Sequence, residues 1–92
     1  MRHTLQVYKM FRNPTVVSDR MSNGARVFRV LDAPGVSFWE LKDSNEIIRA
    51  TAPHTIGGFI AFETDYSGDG VLVPVTLKGT VYREGVLIGP AD

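Results

Sequence analysis

The sequence has no cysteine, no net charge and no long apolar run. Ten Lys and Arg balance ten Asp and Glu among its 92 residues. Without Cys there is no disulfide framework, no Cys-based zinc or redox site and no thiol nucleophile. Zero net charge argues against a free-standing binder of duplex DNA, because such domains are usually basic. No segment reaches the roughly 18 apolar residues of a membrane helix, nor does the start contain the apolar core of a signal peptide. We therefore expect a soluble cytoplasmic or virion protein that does not enter a membrane.

The length predicts one domain with a modest core. A chain of this size has no room for a second domain, and buries a little over ~60% of its unfolded surface. Asn13-Pro14 interrupts the first β-like segment, because Pro fixes its own φ and restricts the residue before it. We assign residues 1–13 to an extended N-terminal arm or first strand and residues 14–92 to a single compact β domain.

Short alternating segments separated by turn residues occupy most of the chain. The strongest turn signal, Asn23-Gly24, predicts a hairpin that joins residues 15–21 to residues 25–31. Pro74 cannot donate to a strand ladder, so residues 71–78 are predicted to lie at a sheet edge or to carry a bulge. The apolar run 56–64 is typical of a strand buried on both faces. Together these segments predict an all-β fold: a small β-sandwich or barrel of about seven to nine short strands.

Two structures compete for residues 44–52. Ser44 could cap a short helix that ends before Pro53. Such a helix would be marginal without packing, because helix nucleation is costly. The strand is therefore favoured, and the helix stays open as the alternative.

Residues that could carry chemistry are few. The acidic, Gly-rich loop over residues 65–70 departs from the EF-hand pattern and lacks its terminal bidentate Glu. His3 and His54 are far apart in sequence and have no nearby carboxylate pattern, which disfavours a His-based metal site. No Ser lies in a nucleophile elbow, and no Gly-rich loop is followed by the Lys of a phosphate site. We expect a protein that is not an enzyme and that has no cofactor and no metal.

Charge is unevenly divided along the chain. Residues 1–31 contain six Lys and Arg against one Asp, a net charge of +5, and residues 32–92 have a net charge of −5. A chain of this kind can attract copies of itself head to tail, or lay a basic arm on an acidic neighbour. The asymmetry favours protein–protein assembly.

A succession of short patterns fills the stretch between Ile56 and Leu87. A Gly-plus-hydrophobic segment leads into an acidic stretch, a Gly/Asp loop, a V-x-V-x-V strand and a Gly-x-Val turn. The positions are Gly58-Phe59-Ile60, Glu63 and Asp65, Gly68-Asp69, Val71-Val73-Val75 and Gly79-Thr80-Val81. In this order the stretch resembles the C-terminal part of the small head-decoration, or capsid cement, proteins of tailed bacteriophages.

That resemblance implies a β-rich protein without enzymatic activity on the outside of a capsid. Such a protein is often a trimer and clamps neighbouring subunits of the major capsid protein. Its N-terminal arm commonly adds a strand to a shell subunit. A homo-oligomer also agrees with size, because small cores are often completed by oligomerisation.

We expect the partner contacts to lie mainly in the arm, since a segment rich in β-formers can pair with an exposed sheet edge. Phe38 and Trp39 are neighbours in a strand and must point to opposite faces, so one is core and the other an interface anchor. The predicted contacts are the apolar Leu5, Val7, Tyr8 and Phe11, the charged Arg2, Lys9 and Arg12, and Trp39.

Two other functions stay open. Aromatic and basic residues interleave over residues 8–12 and 26–29, as in small OB-like proteins that bind single-stranded nucleic acid. The acidic remainder of the chain opposes that function. A small phage or bacterial inhibitor of another protein is the third possibility, and co-purification with an enzyme would indicate it.

Overall fold

The computed structural model describes residues 14–76 and 85–92. Within them, seven strands form two antiparallel sheets, which confirms the predicted all-β class. The arm expected over residues 1–13 and the Gly79-Thr80-Val81 turn lie outside the described residues. The strands are β1 Thr15–Ser22, β2 Ala25–Leu31, β3 Val36–Asp43, β4 Ile48–Pro53, β5 Phe59–Glu63, β6 Gly70–Thr76 and β7 Val86–Ile88, with a 3₁₀ turn at Ile56–Gly58.

The two sheets enclose one apolar core. One sheet has the strand order β1-β2-β5 and the other has the order β4-β3-β6-β7. Alternate side chains of each strand point inward, as the two-residue period of a β-strand requires. The buried cluster takes Phe28, Val30, Ile60 and Phe62 from the first sheet and Trp39, Leu41, Ala52, Leu72 and Ile88 from the second, with Val36 beside them. Phe28 and Phe62 meet edge to face, with ring centroids 5.7 Å apart.

The β1–β2 hairpin forms where the sequence predicts it. Ser22 pairs with Ala25, so the turn itself consists of Asn23 and Gly24 alone. Both have positive φ, 50° and 81°, as a type I′ turn requires. The turn sets the register that places Phe28 and Val30 in the core.

Residues 44–52 contain a turn followed by a strand, so the strand interpretation is confirmed and the helix is wrong. β4 begins at Ile48 and pairs with β3. The Asp43 carboxylate organises the turn, because its Oδ1 accepts hydrogen bonds from the backbone N–H groups of Asn45 and Ile47. A side-chain acceptor that ties down the following backbone favours a turn over a helix at this point.

The prediction of a strand buried on both faces over residues 56–64 is wrong. Gly57 and Gly58 have positive φ and form the 3₁₀ turn, and the strand starts only at Phe59. Within β5, Ile60 and Phe62 are buried, whereas Phe59, Ala61 and Glu63 are exposed. β5 is the last strand of the three-stranded sheet, and only one face of that sheet meets the core.

Pro74 has no backbone N–H to donate, and β6 tolerates it because the pairing with β7 ends before residue 74. β6 pairs with β3 along its whole length, but its pairing with β7 covers only Gly70 to Leu72. Among the described residues, Pro74 therefore lies beyond the two-sided part of the ladder. Its ring is fully buried on the core side, opposite Trp39.

A buried arginine joins the ends of the two sheets. Arg26 is fully buried, and it binds Asp19 of β1 through Nε and Nη2, at 2.9 and 2.8 Å. The same guanidinium donates to the carbonyl oxygen of Gly68, at 2.6 Å, and to that of Gly89, at 2.9 Å. Five-donor guanidinium groups suit such a junction, because each N–H needs its own acceptor when buried.

Candidate functional site

The outer face of the three-stranded sheet carries large side chains that are exposed on a regular surface. We call it the Arg29 face. The strand alternation that buries Phe28 and Val30 turns their neighbours outward, and β5 contributes in the same way. The face consists of Arg20 of β1, Val27, Arg29 and Leu31 of β2, and Phe59 and Ala61 of β5. The 3₁₀ turn lies beside it, since the Gly57 carbonyl oxygen accepts from Arg29.

An arginine and a phenylalanine form the centre of this face. Arg29 and Phe59 are direct cross-strand partners, and the guanidinium carbon lies 5.5 Å from the centre of the phenyl ring. Arg29 Nε also donates to the carbonyl oxygen of Gly57, at 3.2 Å. A cation–π contact at an exposed site contributes ~0.5–1 kcal/mol. Two contacts on one guanidinium hold the pair in place before any partner binds.

Large apolar side chains on and next to this face are open to solvent. Leu31 is 44% exposed, Phe59 is 48% exposed and Ile56 is fully exposed. Isolated exposed apolar residues are common on protein surfaces, but Leu31 and Phe59 share one sheet face with Arg29, a combination that is typical of an interaction site. The arrangement can bind a protein surface of complementary shape.

Trp39, which the sequence nominates as a partner contact, is fully buried in the core. Its indole Nε1–H donates to Nδ1 of His54 at 3.1 Å, so even its polar atom has an internal partner. Its neighbour Phe38 points to the other face and is half-buried. The correction follows from the register of β3, which directs Trp39, Leu41 and Asp43 inward.

The remaining predicted contacts cannot be placed. Arg2, Leu5, Val7, Tyr8, Lys9, Phe11 and Arg12 all lie outside the described residues. Their role in partner binding stays a prediction.

In the opposite sheet, β3 ends in a buried carboxylate, that of Asp43. The pKa of Asp43 is lowered, mainly by the hydrogen bond from the Ile47 backbone N–H, and further by Asn45 and by Arg49. Burial opposes this shift because it disfavours the charged form. Arg49 Nη1 lies 3.3 Å from the carboxylate. The Asp43 carboxylate thus has its hydrogen-bond donors and its ion-pair partner within the β3–β4 hairpin, where it stabilises the turn.

The described part of the chain shows no constellation that could hold a metal ion, as three or more His, Cys, Asp or Glu would. In the loop over residues 65–70, backbone carbonyl groups instead form hydrogen bonds with the rest of the fold. The carbonyl oxygen of Gly68 accepts from Arg26, and Ser67 accepts from the N–H of Ala91.

The sequence did not reveal two features of the structure, the exposure of Phe59 and Ile56 and the burial of Arg26. Phe59 and Ile56 lie in the apolar run that favours a strand buried on both faces, so their exposure could not be predicted. Arg26 shares the face of Phe28 and Val30 in the strand pattern, and this is the one signal that could have indicated its burial.

Comparisons with known proteins gave no family for this chain. A scan against protein-family models, a search of curated proteins and a search of solved structures each found no match. Separately, none of the helical residues in the described ranges forms a segment long and apolar enough to cross a membrane.

Proposed function

We propose that this protein is a non-catalytic binding protein that attaches to the outside of a tailed-phage capsid. The observation that carries the proposal is the Arg29 face: an arginine already oriented by Phe59 and Gly57 within exposed apolar surface. Arginine and large aromatic side chains are enriched among the residues that dominate binding energy. The resemblance of residues 56–87 to head-decoration proteins supplies the partner, the major capsid protein.

The β-sandwich supports this function in a simple physical way. A decoration protein must present a rigid surface to a fixed lattice. Arg29 and Phe59 belong to neighbouring paired strands, which restrict backbone movement far more than a loop would. Preorganised side chains lose less conformational entropy on binding, so more of the contact energy appears as affinity.

The first test concerns the gene and the binding itself. We expect a major capsid gene beside the gene for this chain. Purified protein should sediment with heads assembled from that capsid protein. A capsid gene absent from the neighbourhood, or protein that stays in the supernatant at saturating head concentration, would overturn the proposal.

The second test locates the contact. The double variant Leu31→Ala with Phe59→Ala should weaken sedimentation with heads by about tenfold or more, because it truncates two exposed anchors. Ile48→Ala is the matched control, since Ile48 is exposed to a similar degree, 49%, on the other sheet. Equal loss in the control, or no loss in the double variant, would argue against the Arg29 face.

One observation favours a second function. Arg20 and Arg29 share the face that carries Phe59, and basic groups beside a stacking aromatic are what single-stranded nucleic acid binds. The described residues nevertheless contain five Lys and Arg against nine Asp and Glu, a net charge of −4. A mobility shift with single-stranded DNA that weakens steeply with salt would establish this function in place of the first.

A further inference from the structure

An open groove lies at the end of the four-stranded sheet, on the side opposite the exit of residue 14. It has a volume of about 530 Å³ and lies between the β3–β4 hairpin and the segment that follows β7. Its floor is mainly apolar, with Val71, Leu87 and Ile88, and Leu87 is 83% exposed. β7 is the outer strand of its sheet, so within the described residues its second edge has no ladder partner. An exposed strand edge is a template for another strand.

Carboxylates line the rim of this groove. Asp43, Glu46 and Asp69 lie around it, and none of its lining residues in the described ranges is Lys or Arg. Asp43 is engaged by Arg49, but the side chains of Glu46 and Asp69 form no ion pair with the described residues. The groove is therefore shaped and charged for an extended segment that is both apolar and basic.

The chain itself contains such a segment. Residues 1–13 include Arg2, Lys9 and Arg12 and no acidic residue, a net charge of +3. Between them, Leu5 and Val7 alternate with polar residues at the spacing of a β-strand. The charge of this segment nearly balances the −4 of the described residues. Charge complementarity of this kind sets the orientation and partner choice of an interface.

Distance argues that the segment comes from another copy. β1 starts at Thr15, which pairs with Leu31, and it runs eight residues toward the Asn23-Gly24 turn. The groove lies near that turn, because Arg26, two residues after Gly24, binds the carbonyl oxygen of Gly89 in the groove lining. To reach the groove of its own copy, residues 1–13 would have to run back along the whole of β1. That path is roughly 26 Å long and takes about eight residues in extended conformation. About five residues would remain for the groove, whereas a second copy can offer all thirteen.

We propose that residues 1–13 of one copy bind in the groove at Leu87, Glu46 and Asp69 of a second copy. The inserted segment runs beside β7, with Leu5 and Val7 against Leu87 and with its basic side chains near the rim carboxylates. The contact joins different surfaces of the two copies, so it generates a closed ring or an exchanged dimer if the rotation closes. This inference does not depend on capsid binding.

The test uses two full-length variants with exchanged charges. Glu46→Lys with Asp69→Lys reverses the rim, and Arg2→Glu with Lys9→Glu and Arg12→Glu reverses the segment. Light scattering after size-exclusion chromatography gives the mass of each protein alone and of an equimolar mixture. We expect the wild type to self-associate and each variant alone to lose affinity by about tenfold or more, because like charges then face each other. The mixture should regain the assembly, since the reversed segment of one variant matches the reversed rim of the other.

The matched control carries the same change of net charge elsewhere. Glu63→Lys with Asp65→Lys alters two exposed acidic residues away from the groove and should assemble like the wild type. Circular dichroism confirms that each variant is folded. A wild type that is monomeric at every concentration, a rim variant that assembles normally, or a mixture that stays dissociated would each overturn the inference. Because capsids are absent from this experiment, its failure is distinct from failure of the proposed function.

Discussion

Arg26 and Asp19 form a bidentate ion pair inside the protein, with Nε–Oδ1 at 2.9 Å and Nη2–Oδ2 at 2.8 Å. The pair stands at the open side of the sandwich, where β1 and the residues after β7 approach each other. Asp92 completes that closure, as its N–H donates to the Asp19 carbonyl at 3.4 Å and its carbonyl accepts from Met21 at 3.5 Å. The buried charge thus connects three segments that are distant in sequence.

Removal of the Arg26 guanidinium should strongly lower the free energy of unfolding. Arg26→Met keeps much of the side-chain volume but leaves the Asp19 carboxylate without its partner. The carbonyl oxygens of Tyr66, Gly68 and Gly89 lose the donor that Arg26 provides. Loss of one member of a buried ion pair costs about 3–5 kcal/mol. Urea unfolding, read as the transition midpoint at constant m, measures the change in the free energy of unfolding.

Two further variants separate charge from geometry at this site. Arg26→Lys retains the charge but loses the planar fork, so its stability should lie between those of the wild type and Arg26→Met. Arg20→Met is the surface control, because Arg20 is exposed on the same hairpin, and it should change stability by less than about 0.5 kcal/mol. Equal stability of Arg26→Met and Arg20→Met would contradict the role of the buried pair.

Gly58 should be far less tolerant of a side chain than Gly24. Both have φ near +80°, which a side chain disfavours. A Cβ at Gly58 would also overlap the carbonyl oxygen of Val30, whereas a Cβ at Gly24 meets nothing within 4 Å. We expect Gly24→Ala to cost about 1 kcal/mol and Gly58→Ala about 3 kcal/mol or more in the free energy of unfolding. Thermal melts of the two variants side by side provide the comparison, and similar losses would show that the close approach of Gly58 to β2 is unimportant.

Local sequence patterns predicted the turns and the two faces of several strands. They could not predict features that depend on contacts between segments distant in sequence. Asn23-Gly24 fixed the first hairpin because its turn type depends on two adjacent residues. The alternation in β2 separated Arg26, Phe28 and Val30 from their neighbours, and so anticipated the two faces. Which apolar run lies at a sheet edge depends on strand order, which no local pattern contains. The exposure of Phe59 was misjudged for that reason. Trp39 was misjudged because the alternation of Phe38 and Trp39 does not show which face of β3 meets the core.

Asp43 should make the protein sensitive to acid. Its pKa is lower in the folded state than the ~3.9 of an unfolded Asp, chiefly through the Ile47 hydrogen bond. Between those two pKa values the unfolded state binds more protons, so stability rises with pH. The contribution is complete above the unfolded pKa and disappears as the pH falls through the folded one. Unfolding free energies measured in steps from about pH 5 to pH 2 should therefore fall, and less steeply in Asp43→Asn.

The control for this pH series is Asp65→Asn. Asp65 is exposed in the loop before β6, so its neutralisation should leave the acid limb of the stability curve unchanged. If Asp43→Asn and the wild type lost stability in parallel, the turn would not depend on the carboxylate charge.

The hydrogen bond from Trp39 to His54 should stabilise the core. Trp39 is fully buried and its Nε1–H has His54 Nδ1 as its acceptor, at 3.1 Å. His54→Ala leaves this donor without a partner, and an unsatisfied buried donor costs about 1–3 kcal/mol. His54→Gln offers an amide oxygen in its place and should recover part of the loss. Trp39 is the only Trp in the chain, so its fluorescence reports both the unfolding transition and the polarity around the indole. Thr51→Ala, an exposed change on β4, the strand that ends just before His54, should leave both readouts unchanged, and an equally small effect of His54→Ala would mean that the indole N–H finds another acceptor.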